Sequence, residues 1–342
     1  MAGTRFWIGA STTGMLGSPA AGIRPLDVDA DGTARLGAPV DVGPNPQFLA
    51  SVPGIDELVV VHELSEGLVS AWRIEGDALS PDGHPVGAGA DPCHVAVGGD
   101  PAAAYVANYS SGSLTVHPLT STGPGIADPV VTYEGTGPVL ARQEASHAHQ
   151  IVVDAAAGEL LVVDLGGDAV HVHALDTLEH RRTVLLHGGA GPRHLVLVPG
   201  TERRIAIVAC ELDRTVAVVD LDAGVELGAV FASAGDDPHG LGLSAIRMTS
   251  GGIVLVGDRS TDSLRAFRYD RAERTLEPVG AVPTGGRHPR DLELTADERF
   301  ALVADQASDS IAIVALDEDG VPTHVASTVS TPAPACVLRL TD

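Results

Sequence analysis

The chain has 342 residues, 44% of them hydrophobic but only 3% aromatic, with 40 Gly, 23 Pro and a formal net charge of −24. This is a globular composition whose core must be built from Val, Leu, Ile and Ala, with many turns. All 21 basic residues are Arg, which excludes Schiff-base chemistry on a lysine, and the acidic field disfavours nucleic acid and anionic membranes as partners.

The N-terminus offers Phe6-Trp7-Ile8-Gly9-Ala10, too short for a signal-peptide core, and then Gly22-Ile23-Arg24-Pro25-Leu26-Asp27-Val28. Both read as strands. From residue 46 a unit recurs: a small-Pro-x-apolar start, a short strand, a turn, a β-branched strand ending near a polar residue, a polar turn and a third strand. Pro192-Arg193-His194-Leu195 with Arg204 to Asp213 and Thr215 to Asp220 is nearly superposable on Pro289-Arg290-Asp291-Leu292 with Phe300 to Gln306 and Ser310 to Ala315. The starts fall at residues 46, 92, 148, 192, 244 and 289. Their spacing of about 44 to 56 residues is that of four-stranded propeller blades. No long stretch has helical period, and no run of about 18 apolar residues could span a membrane.

Six units leave the two N-terminal strands and Ala335-Cys336-Val337-Leu338-Arg339-Leu340. Joined, these make a seventh blade, and the pairing protects edges that would otherwise invite aggregation. The expected fold is therefore an all-β, seven-bladed propeller, one domain over residues 1–342, closed by its own ends. Cys93, Cys210 and Cys336 fit no disulfide framework and no Cys-x-x-Cys site, and read as reduced, buried thiols of a cytoplasmic protein.

In a propeller the starts of the innermost strands face a central channel at one rim. His94, His147, His149, Arg193, His194, His239, His288 and Arg290 stand at such starts. Glu63, Asn108, Asp164, Glu211, Asp258 with Arg259, and Asp305 stand at the ends of second strands. Asn108, Asp164 and Asp305 are read as caps of the following turns. His94 and His239 are equally compatible with turn formation, and His171 and His173 are read as surface residues. His62-Glu63 lacks the second histidine of a zincin motif. No Gly-x-Ser-x-Gly elbow or Walker loop occurs. Glu144, His147 and His149 lack a placeable distant ligand, so neither a metal nor a cofactor is expected.

What remains is Arg193, Glu211, His147, Arg259 and Arg290. Arginine forks suit a carboxylate, a phosphate or a developing oxyanion, Glu211 between guanidiniums stays ionised, and histidine suits water activation near neutral pH. Lactone hydrolysis, or the reverse cyclisation, fits that set.

Gly189-Ala190-Gly191-Pro192-Arg193-His194-Leu195, followed by Cys210-Glu211-Leu212, resembles the 6-phosphogluconolactonase family of seven-bladed propellers, to which the fungal carboxy-muconate cyclases are related. Ser146-His147-Ala148-His149-Gln150, Ser244-Ala245-Ile246-Arg247 with Gly257-Asp258-Arg259-Ser260, His288-Pro289-Arg290, and more loosely Asp91-Pro92-Cys93-His94 with Asn108-Tyr109, extend the resemblance along the chain. It implies His147 as active-site histidine, Arg193 and Arg259 as anion-binding arginines and Glu211 as carboxylate. The expected set is thus His147, Glu211 and Arg193 as catalytic groups, with Arg259, Arg290, His149, His194 and His94 binding substrate. The chain departs from the family in its degraded Ser-Pro-Asp-Gly turns and its lack of Lys, so a phosphate would rest on Arg alone. The implied activity is hydrolysis of a small anionic sugar lactone, 6-phosphogluconolactone, in the pentose phosphate route. The alternatives are a muconate-type cycloisomerase and a non-catalytic binding scaffold. The oligomeric state is open between monomer and dimer.

Overall fold

The computed structural model describes residues 3–14, 16–128, 130–234 and 241–340. Its strands form seven antiparallel sheets, the architecture of a seven-bladed β-propeller. The second to seventh sheets begin at Pro46, Pro92, Ala148, Pro192, Leu243 and Pro289, within a residue of the expected starts. The first sheet is the composite one. Pro334–Arg339 lies innermost and pairs with Thr4–Ala10, which pairs with Arg24–Val28 and then Ala34–Leu36. The chain ends meet as the edge argument requires, with Trp7 opposite Leu338 and Ile8 opposite Val337.

By packing, the chain divides into two compact units, Met1–Pro39 with Pro192–Asp342 and Val40–Gly191. The first holds the first, fifth, sixth and seventh sheets; the second holds the other three. The second strand of each of the six regular sheets is buried throughout, as in Glu159–Asp164, Ile205–Cys210 and Phe300–Asp305. Covered on both faces, such strands read as continuous apolar runs rather than alternating ones. Aliphatic contacts between neighbouring sheets make the core. Between the fifth and sixth sheets, for example, Ile205, Ile207, Val216, Ile246, Val254 and Phe267 pack together. Outermost strands are exposed and blunted by Pro81, Pro85 and Pro278 or by His180, Arg181 and Arg182.

One irregularity recurs in all seven sheets and decides what the starts of the inner strands present. Opposite the second strand the ladder slips, leaving Gln47, Cys93, His149, Arg193, Ser244 with Ala245, Arg290 and Ala335 outside the pairing. Such a bulge re-aims the extra residue's side chain. The only helical turn among the described residues is Gln306–Ser308, so none is long and apolar enough to cross a membrane. All three cysteines are free and buried.

Candidate functional site

Two clusters of chemically active side chains form at strand starts, one within each unit. In the first, Arg193 is the bulged residue of the fifth sheet and is buried. Its Nε stands 3.2 Å from Glu211 Oε2, and Arg259 Nη2 stands 2.6 Å from that same oxygen. Arg259 also donates to the carbonyl oxygens of Gly242 and Leu243. One carboxylate oxygen therefore bridges two buried guanidiniums. Arg193 Nη1 is buried and has no hydrogen-bond partner among the described residues.

Arg290, the bulged residue of the seventh sheet, adds its field to this group. Burial, with Arg259 and Arg290 adding to it and Glu211 opposing, lowers Arg193 to about 9, which leaves it charged at neutral pH. His288 feels the same surroundings. Burial first, then Arg259, Arg290 and Arg193, drive its imidazole down to about 2. Its backbone lies in the left-handed region (φ 61°) and donates its amide N–H to Asp262 Oδ1 at 2.7 Å, while the neutral ring has its Nε2 buried without a partner among the described residues. Asp291, one residue beyond Arg290, is engaged elsewhere, by the Val337 N–H and by Arg247. Two buried guanidiniums thus share one bridging carboxylate, with the field of Arg290 added and that of Asp291 opposing it, in a protein of net charge −24. Buried charge demands compensation, and here the deficit is of negative charge.

The second cluster is built from rings. His147 stacks on Tyr109, ring centres 4.4 Å apart and 8° from parallel, and His149 meets the same ring edge-on at 5.7 Å. The His147 Nδ1 faces the Tyr109 carbonyl oxygen at 3.0 Å, so this nitrogen carries the proton. Nε2 is then the basic nitrogen, and Glu144 Oε1 stands 3.3 Å from it. Its own backbone N–H and then the His147 ring hold the Glu144 carboxylate low. Arg142 donates to the Tyr109 hydroxyl. Asp164 fixes the turn: it accepts from the N–H groups of His147, Gly166 and Gly167 and from the Ser146 hydroxyl. Burial alone would raise this carboxyl, but bonds from His171, Ser146 and His147 bring it below the usual range.

The expected site residues thus divide. Arg193, Glu211, Arg259 and Arg290 come together in one unit; His147 and His149 come together in the other. His194 and His94 follow bulges and sit in regular ladder positions opposite Ala209 and Ala107. His94 is buried against Phe48, with ring centres 4.2 Å apart. His239 lies outside the described residues. Among the described residues no group of three or more His, Cys, Asp or Glu side chains is placed to hold a metal.

Two sequence readings are corrected. His171 and His173 are buried rather than superficial, because Tyr133 stacks on His171 at 4.3 Å and its hydroxyl meets His173 Nε2 at 3.0 Å. The residues grouped as strand ends were also out of step. His62, Asn108, Asp164, Cys210, Asp258 and Asp305 are the equivalent last strand residues, each facing the first residue of the inner strand in its own sheet. Glu63, Tyr109, Leu165, Glu211, Arg259 and Gln306 all come one position later. That step explains why Glu211 and Arg259 meet. It also brings in Tyr109 and Gln306, which a search for charged residues passes over.

A propeller with a buried guanidinium–carboxylate cluster at its strand starts has donors of the kind that suit a small anion. The profile described as Lactonase, 7-bladed beta-propeller matches residues 5–339, and the chain belongs to this family. A 6-phosphogluconolactonase of Bacillus subtilis is 30% identical over 318 residues, covering 89% of this chain and 88% of the relative. A crystal structure of a Lactobacillus plantarum protein is 29% identical with a TM-score of 0.89, covering 99% of this chain and all of that one. The Pseudomonas aeruginosa periplasmic gluconolactonase is 25% identical with a TM-score of 0.86, covering 99% of both chains.

Proposed function

We propose that this lactonase opens an anionic sugar lactone to its acid, with 6-phosphogluconolactone as the substrate, in the cytoplasm and within the pentose phosphate route. The observation that carries the reading is the surplus of buried positive charge around Glu211. Glu211 is spent on holding two guanidiniums in place, and the Nη1 of Arg193 is left to take an anion from outside. The free Nη1 of Arg193 suits the oxyanion that develops when water adds to the lactone carbonyl. Arg259 and Arg290 suit a phosphate or carboxylate. The name of the Bacillus relative supports the phosphorylated substrate, and that of the Pseudomonas structure supports a sugar lactone more broadly. The partner is then a small molecule rather than nucleic acid or a membrane.

Hydrolysis needs a base for the water proton. We propose His147, because its Nδ1 proton is committed to a carbonyl and a proton taken up at its Nε2 would be held by the Glu144 carboxylate beside it. As water adds, its proton passes to the base; the ring C–O bond then breaks and the alkoxide takes a proton to give the hydroxy acid. The test is hydrolysis of 6-phosphogluconolactone followed by proton release. Arg193→Ala should cost about 10²–10³ in turnover. Wild-type turnover in a folded Arg193→Ala variant would refute the assignment.

A further inference from the structure

Gln306 occupies the position that Glu211 and Arg259 occupy in their sheets, one residue past the end of the second strand. It is buried at 2% exposure, and its backbone N–H donates to the His288 carbonyl at 3.1 Å, which ties it to the residue inside the guanidinium field. Its Oε1 is buried and has no hydrogen-bond partner among the described residues. The neighbouring Asp305 has a similarly unpartnered Oδ2, but a carboxylic acid can relieve this by keeping its proton. Burial does push that carboxyl up to about 7. An amide has no such recourse, and an unpaired buried acceptor is costly.

We propose that Gln306 is a specificity-determining residue that hydrogen-bonds a hydroxyl of the bound molecule, so that the guanidinium cluster takes polyhydroxylated acids and lactones in preference to unsubstituted ones. This rests on the lactonase reading above. A hydroxyl serves either orientation of the amide, since it both donates and accepts. The selectivity follows from the general asymmetry of such sites: a ligand lacking the hydroxyl leaves the buried amide unpaired.

The experiment compares D-glucono-1,5-lactone with δ-valerolactone, the same ring without hydroxyls, on wild type and Gln306→Leu. In parallel, calorimetry follows binding of 6-phosphogluconate to both proteins. The variant should lose about tenfold or more in kcat/KM on the hydroxylated lactone and less than about twofold on the bare one, and its Kd for 6-phosphogluconate should weaken by about tenfold. Equal losses on both lactones, or no loss on either, overturn the proposal; the amide is then satisfied by a resident water. If Gln306→Leu does not fold, Gln306→Met repeats the comparison with a side chain closer in shape. Should wild type hydrolyse neither of these lactones nor 6-phosphogluconolactone, the lactonase reading fails and calorimetry decides. Weakened 6-phosphogluconate binding in the variant upholds Gln306 as a hydroxyl contact; unchanged binding, or none to wild type, overturns it.

Discussion

The guanidinium cluster of the fifth to seventh sheets and the imidazole cluster of the third and fourth use the same backbone device. Each draws on the bulged second residue of an inner strand and the residue just past a second strand: Arg193 with Glu211 and Arg259 in one, His149 with Tyr109 in the other. They are held together by different forces. The first depends on charges bridged through one oxygen, the second on ring stacking and a fixed turn. A repeated scaffold can therefore offer a charge-held cluster and a ring-held cluster without changing its fold, because the scaffold prescribes the position and leaves the chemistry to the residue placed there.

The same strand-end position makes the contrast quantitative. Asp305 is raised to about 7 by burial, with Asp262 adding to this and Thr284 opposing. Asp164 is buried just as fully but lowered by its donors. One carboxyl lacks enough donors to be ionised comfortably, and the other has them.

The largest break acts on the unit that holds the guanidinium cluster. Deleting residues 333–342 removes the innermost strand of the first sheet and the Val337 N–H that Asp291 accepts. The melting temperature should fall by at least about 10 °C, followed by circular dichroism; an unchanged melt would show that the terminal pairing is dispensable. Next, Glu211→Gln leaves two buried guanidiniums without their carboxylate and should cost about 3–5 kcal/mol in urea unfolding. A cost no larger than that of His147→Gln, expected at about 1 kcal/mol or less, would erase the distinction between a charge-held and a ring-held cluster.

The two aspartates give a test of sign. Asp305 keeps a proton in the folded chain that it loses in the unfolded one above pH about 4. Its contribution to stability is full below that pH, falls as pH rises to about 7 and is flat beyond. Asp305→Asn should therefore gain stability over wild type at pH 8, on the order of 4 kcal/mol at most, and gain nothing at pH 4. Asp164 is depressed, so its contribution is present above pH about 4 and is lost as pH falls through the folded value. Asp164→Asn should lose stability at neutral pH. Unfolding curves at pH 4 and 8 check both, and equal signs at pH 8 would refute the contrast. The ring stack gives a smaller effect than the charges: Tyr109→Leu should cost about 1 kcal/mol through lost stacking. A null result there would mean that the turn, rather than the stack, holds His147.

Much of this was readable before any coordinates. The repeat located each inner strand to within a residue, and the terminal pairing followed from counting blades. Residue type and repeat position put Arg193, Glu211, Arg259 and Arg290 in one group with His147; the first four come together in one unit and His147 belongs to the other. The environment of His171 and His173 was not readable, since their burial depends on Tyr133, nearly 40 residues earlier in the chain. Gln306 was passed over because an uncharged amide stands out only once its burial is known.

The amino-acid sequence by itself determined the number of sheets, their starts and the stock of chemically useful side chains, because apolar period and turn residues are local properties that the chain carries wherever it lies. The tertiary structure decided which member of each adjacent pair presents its side chain: Arg193 rather than His194, Glu211 rather than Cys210, Arg259 rather than Asp258. In a strand of period two, a slip of one residue reverses the face. The bulge that sets this slip arises from how the ladder closes against the neighbouring strand, and no residue's own preference specifies it.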